Sequence, residues 1–171
     1  MNFEYQHLIP KEFHPDSRVW IYQGSRLFTI SEALQIENLL EDFVEHWHSH
    51  GVAVKGYASL LFGQFIIIMA DETATGVSGC STDSSVHLIK QIEQQFGVNM
   101  FDRQTFAFII KDKVQLLPMT QLGYAVTNGF INGSTLYFNN LAATKHELLH
   151  SWIIPVNQSW LSKRIAFTQT A

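Results

Sequence analysis

An α+β fold is predicted, with a ferredoxin-like βαββαβ core and a C-terminal α/β extension. Three observations predict it. Up to residue 110, segments of strand and helix periodicity follow one another as strand, helix, strand, strand, helix, strand, the order of a split βαβ core. A helix with a complete start signal opens at Thr29. The run FIIIMA at 65–70 is apolar on consecutive positions, as a central strand covered on both faces requires.

Taken in order, residues 1–18 mix polarity and hold two prolines, which reads as an extended N-terminal arm; residues 19–171 then form a single α+β domain. VWIY at 19–22 is a short strand closed by the QGSR turn. Thr29 and Glu32 have capping-box spacing, and Phe28 and Ala33 occupy the staple positions around them. Ala33, Ile36, Leu40, Phe43 and Trp47 continue at helical spacing, Leu39 and Val44 widen the stripe, and Gly51 follows its end. VAVKGYASLLF and QFIIIMAD flank Gly63 as a hairpin. Asp83 or a neighbouring serine caps a second helix whose stripe is Val86, Ile89, Ile92 and Phe96, ended by Gly97. TFAFII at 105–110 pairs with VQLL at 114–117 across KDK. A short helix led by Pro118, a TLYF strand and a closing helical segment make up the extension, which covers the sheet's other face or lengthens its edge.

Composition narrows the function classes. With 171 residues, 46% of them hydrophobic, the chain can build one sizeable core but not two ordinary domains. Eleven basic against fifteen acidic residues give a net charge of -4 with no basic block or stripe, so nucleic acid is not an expected partner. FIIIMA is far too short to span a membrane, and the first residues lack the pattern of a secretory signal; no membrane partner is expected. The one cysteine cannot form an intrachain disulfide, which agrees with a cytoplasmic setting. Thirteen Phe, four Trp and five Tyr are a heavy aromatic load for this length; most belong in the core, and any surplus at the surface is an interaction patch.

SGCSTDSS at 78–85 supplies the candidate ligand-binding residues Ser78, Cys80, Ser81, Asp83 and Ser84. Placed just before a helix N-terminus, Cys80 meets free backbone N–H groups and a helix dipole, which favour an anion or a thiolate. A nucleophilic cysteine also needs a base, and His87 falls about two turns inside the helix, a poor position. The same small polar residues equally suit a crowded turn whose hydroxyls satisfy backbone groups.

Around this segment the chain resembles a family of small, functionally unassigned bacterial proteins, mainly of the Bacteroidota group, commonly labelled ABC transporter ATPase. The resemblance rests on VWIYQGSRLFT, on FIIIMADE with GVSGCSTDSS, on HLIKQIEQQFGVNMFDR, and on LYFNNL and SW, which together cover most of the chain after residue 18. That label implies a glycine-rich loop ending in Lys and Ser or Thr, which holds phosphates and magnesium. No GxxxxGK[ST] segment occurs, and GVSGCSTDSS lacks the lysine, so the resemblance carries no residue-level function.

HELLH at 146–150 matches the zinc pattern in which His146 and His150 bind the metal and Glu147 handles the proton of a bound water. No His, Asp or Glu follows His150 to supply a third downstream ligand, and Thr144 with Glu147 has capping-box spacing instead. HWHSH at 46–50 ends the first long helix, where His46 and His50 share a face and Trp47 turns inward. Asp71, Glu72, Asp102 and Arg103 sit at element ends, where charges are ordinary. The sequence thus points to a non-catalytic domain that binds a small ligand or a protein, without cofactor or metal, with self-association through aromatic or sheet-edge surface as one route. The enzyme alternatives are a thiol reaction at Cys80 and a zinc-dependent hydrolase at HELLH.

Overall fold

A computed structural model describes residues 1–165 and shows a mixed α+β fold. The expected domain over 19–171 extends past them, to residues outside those described. The chain forms two compact units, one of residues 3–102 with 141–149 and one of residues 1–2, 103–140 and 150 onward.

The first unit holds β1 (Arg18–Gln23), α1 (Ile30–His46), β2 (His48–Ser49), β3 (Val52–Ala53), β4 (Lys55–Leu61), β5 (Phe65–Asp71) and α2 (Gly79–Phe96). Its main sheet is antiparallel with order β1-β5-β4. Every residue of β5 is buried, as its continuous apolar run predicts for a central strand. Alternation sends Ile66, Ile68 and Ala70 to one face, where they form a core with Ile36 and Leu40 of α1, Leu88, Ile89 and Ile92 of α2, and Trp47. The capping box at Thr29 and Glu32 is present, with the Arg26 guanidinium and the Thr29 N–H holding the Glu32 carboxyl down to about 2.

The opposite face of β4, carrying Lys55 and Tyr57, receives the N-terminal segment. Tyr57 donates to the Leu8 carbonyl at 3.2 Å, and the Lys55 ammonium lies over the Phe13 ring at 4.9 Å. Tyr5, Ile9 and Phe13 of that segment are buried, and residues 6–8 form a 3₁₀ turn. Tyr5 donates to the Leu148 carbonyl, and burial pushes its hydroxyl up to about 12.

In the second unit, β6 (Thr105–Ile110) and β7 (Lys113–Pro118) form a hairpin, followed by α3 (Leu122–Thr127), β8 (Leu136–Phe138) and, after α4 (Lys145–Ser151), β9 (Ile153–Pro155). The sheet order is β7-β6-β8-β9, and the unit boundary falls within α4. Lys111 and Asp112 at the hairpin turn have φ of 51° and 60°, the left-handed pair that a two-residue turn between twisted strands needs. Phe108, Leu122, Ala125, Ile131, Tyr137, Val156 and Leu161 make its core.

Three expectations are corrected. The βαββαβ core requires β6 in the first sheet, but β6 pairs on both sides in the second, with β7 and β8. The outer edge of β1 is engaged instead by a returning segment: Val19 donates to the Ala143 carbonyl, and the Lys145 N–H donates to the Ser17 carbonyl. The second helix opens at Gly79, earlier than capping by Asp83 or a serine beside it implies, because Ser78 is the N-cap. The chain's end adds β9 to the closing helix: three residues pair with β8 just after α4, too few for a periodic signal.

Gly56 has a steric reason. A Cβ there would meet Trp47 Cε3 at 2.7 Å, so the indole packs where any other residue has a side chain. We expect Gly56→Ala to lower the stability of the protein by about 1–3 kcal/mol in chemical denaturation, as overpacking does. An unchanged midpoint and slope would show that Trp47 moves aside freely.

Candidate functional site: the edge of β4 beside α1

Ser78, Cys80, Ser81, Asp83 and Ser84 all fall on the first turns of α2 or at its cap, but they do not converge on a common space. The Ser78 Oγ accepts from the Ser81 N–H at 3.2 Å and lies 2.9 Å from the Ser81 Oγ. Ser81, buried, donates its hydroxyl to the His48 carbonyl at 2.6 Å, and its own carbonyl accepts from the Trp47 indole at 3.0 Å. The Ser78 N–H donates to the Ser49 hydroxyl. Ser84 donates back to the Cys80 carbonyl, and Ser85 to that of Thr82. Asp83 and Ser84 face solvent. Cys80 is exposed on the second helical residue, and its thiol makes no hydrogen bond among the described residues. The cluster thus joins α2 to residues 47–49 and satisfies backbone groups.

The HELLH residues lie on α4. Glu147 Oε2 accepts from the N–H groups of Ala143 and Thr144 at 2.7 and 3.2 Å, and the Glu147 N–H donates to Thr144 Oγ1. This is the capping box that the spacing predicts, and it engages the carboxylate a zinc hydrolase would need for its water. In HWHSH, His46 ends α1, while His50 lies in the β2–β3 turn with φ of 51°. His50 therefore does not continue the helix face of His46; Trp47 does turn inward. Among the described residues, no three or more His, Cys, Asp or Glu side chains are grouped to hold a metal ion. No described helix is long and apolar enough to cross a membrane.

Asp71 is less ordinary than an element end suggests. Only 2% exposed, it accepts from the His14 N–H at 3.0 Å and from the Thr73 N–H and hydroxyl at 3.0 and 2.7 Å, with the Lys55 ammonium 3.3 Å away. Those donors, the Thr73 hydroxyl first, hold its carboxyl well below the usual carboxylate range. Lys145, also buried, donates to the carbonyls of Lys11 and Phe13 at 3.1 and 2.7 Å. Both side chains fasten residues 11–14 to the first unit, a structural task that sequence position alone does not disclose.

In the first sheet, the outer edge of β4 has no strand partner. The Leu60 N–H points outward, since it donates to Glu37 Oε1 at 2.9 Å. Antiparallel alternation then turns Ala58 and Gly56 outward as well. The same parity on the far side of the sheet, where Val19 donates outward to Ala143, agrees with this assignment. Beyond Gly56 the Val54 N–H donates to the Trp47 carbonyl. Between these two satisfied positions, the N–H and C=O groups of Gly56 and Ala58 have no partner among the described residues.

This window opens onto a shallow cleft of ≈ 530 Å³ lined by Glu37, Glu41, Val44 and Glu45 of α1 and by Gly56, Tyr57 and Ala58 of β4. An open groove with carboxylates on its helical wall and free backbone groups on its strand wall suits an extended chain better than an enclosed apolar ligand. The i, i+4, i+8 spacing of Glu37, Glu41 and Glu45 is visible in the sequence; that they face β4 depends on how α1 packs. No family model, no curated protein and no solved structure matches this chain.

Two outcomes follow from these contacts. Because Cys80 is exposed on a helix, Cys80→Ser and Cys80→Leu should both change stability by no more than about 0.5 kcal/mol, whereas Ser81→Ala, which removes a buried hydroxyl from the Ser78 Oγ and from its part-buried bond to the His48 carbonyl, should cost about 1–3 kcal/mol. Denaturation of the three variants checks the ordering, and a Cys80→Leu cost equal to that of Ser81→Ala would contradict the assigned positions.

For Asp71 the folded carboxyl lies below its unfolded value, so its contribution is complete above about pH 4, the ordinary aspartate pKa. That contribution is lost as the pH falls from there through the depressed folded value. The stability difference between wild type and Asp71→Asn should therefore be constant at neutral pH and shrink under acid, measured by denaturant titration at successive pH values. A difference that does not change with pH would rule out the charged carboxylate as the anchor.

Proposed function

We propose that this protein is a non-catalytic interaction domain which binds an extended polypeptide segment by adding it as a strand to the edge of β4. The observation that carries the reading is the window at Gly56 and Ala58: backbone groups aimed outward from a sheet edge, beside a helix that walls the other side of a cleft. Strand addition draws its affinity from main-chain hydrogen bonds and its selectivity from side chains at alternate positions. The engagement of Glu147 and of Ser78, Ser81 and Ser84 in backbone bonds supports a binding role over the enzyme alternatives. A cytoplasmic setting and kinship with the Bacteroidota family form part of the same proposal, supported by the single cysteine and by the shared motifs.

Amide-resolved NMR tests it with the synthetic peptide Lys-Thr-Lys-Val-Lys-Thr-Lys-Val as probe. The Gly56 and Ala58 amides should shift on titration and become protected from hydrogen exchange. A copy of the peptide N-methylated at alternate residues, which lacks the donors for a ladder, should lose that protection without any change to the protein. Shifts confined to other surfaces, or equal protection by the methylated peptide, would refute strand addition.

A further inference from the structure

We infer that the segment accepted at the β4 edge is basic, with Lys or Arg side chains at alternate positions lying against Glu41 and Glu45. This rests on the strand-addition reading and specifies its partner. Glu37, Glu41 and Glu45 stand one helical turn apart on α1, and all three line the cleft. Glu37 is engaged by the Ser59 hydroxyl and the Leu60 N–H. Glu41 and Glu45 are exposed and form no ion pair among the described residues.

Local stability does not account for this row. Carboxylates at i, i+4 repel each other along a helix, and Glu45 sits in the last turn, where the helix dipole disfavours a negative charge. The basic groups nearby are held chiefly by others. His46 lies 3.4 Å from Asp42 Oδ1, with Glu45 only a lesser influence on its ring, and the Lys55 ammonium is directed to the other face of the sheet, between Asp71 and the Glu12 carbonyl. Among the described residues, no Lys or Arg lines the cleft.

The charge also decides between a foreign segment and a second copy of this chain. Pairing β4 with β4 of another copy brings two sets of Glu41 and Glu45 to one interface with no compensating cation, a like-charge arrangement that costs binding. A segment alternating Lys or Arg with small β-forming residues has the opposite sign and the period-two spacing that a strand presents to one wall.

The test compares three peptides by fluorescence polarisation: Lys-Thr-Lys-Val-Lys-Thr-Lys-Val, its Gln-for-Lys analogue and its Glu-for-Lys analogue. We expect the basic peptide to bind about 2- to 30-fold more tightly than the neutral one, the range that two exposed ion pairs supply. That advantage should disappear in the Glu41→Gln, Glu45→Gln double variant and weaken with added salt. Equal affinity of the basic and neutral peptides, with the Gly56 and Ala58 amides still protected, would overturn the basic partner and leave strand addition standing. Protection of those amides by none of the three peptides would overturn both. Concentration-dependent dimerisation in sedimentation equilibrium, accompanied by protection of the same amides in the protein alone, would assign the edge to a second copy and overturn the inference.

Discussion

The first unit is organised around one constraint, the burial of β5 on both faces. A strand whose seven residues are all inaccessible to water needs a neighbour on each edge and a cover above and below. β1 and β4 supply the edges, and the pairing register places Ile66 and Ile68 beneath α1 and α2. The opposite face of the sheet takes the chain's own N-terminal residues, with Tyr5, Ile9 and Phe13 buried. Helices and N-terminal segment are thus two solutions to the same problem. The helices meet it with regular stripes, and the segment with three widely spaced apolar anchors.

Covers without a periodic stripe must be held by something else, and here polar side chains do it. Lys145 and Asp71 both hold main-chain groups of residues 11–14, so two buried charges serve where an irregular segment has no ladder of its own. The serine cluster at the start of α2 works in the same way on residues 47–49. Each of these groups would be costly to bury alone and becomes tolerable because its partners are backbone groups that need satisfying too. Side chains that look reactive in one dimension, such as Glu147 or Ser81, are in three dimensions the pieces that close hydrogen-bond accounts.

Local signals were legible in the sequence. The pairs Thr29–Glu32 and Thr144–Glu147 are capping boxes in the structure, the hairpin across KDK forms, and FIIIMA is the central strand. Each depends on residues within a few positions of one another. Sheet membership does not. TFAFII is apolar enough to join either sheet, and its partners are set by the hairpin with β7 and by β8, while Ala143 to Lys145 reach β1 from far along the chain. The start of α2 is not legible because several serines, a threonine and Asp83 all cap well; only the contacts of Ser78 with Ser49 and of Ser81 with His48 fix its first turn. The cleft was beyond reach for a related reason, since Glu41 and Ala58 come together only through the packing of α1 along β4.

An open sheet edge is a hazard that proteins suppress with helices, charges or pairing. The two edges of the first sheet differ in how this is done. On β1 the returning residues 143–145 take up the Ser17 carbonyl and the Val19 N–H directly. On β4 the cover is partial: Trp47 satisfies Val54 at one end, Glu37 satisfies Leu60 at the other, and α1 stands beside the gap without filling it. In the proposed role, the negative side chains there would disfavour pairing with another molecule of the same chain, by repulsion between identical surfaces. The same charges would attract a cationic strand, so that a guard against self-pairing would also be a filter for a partner of opposite charge. Selectivity of this kind would rest on an edge left incomplete beside carboxylates, Glu41 and Glu45, that form no ion pair among the described residues.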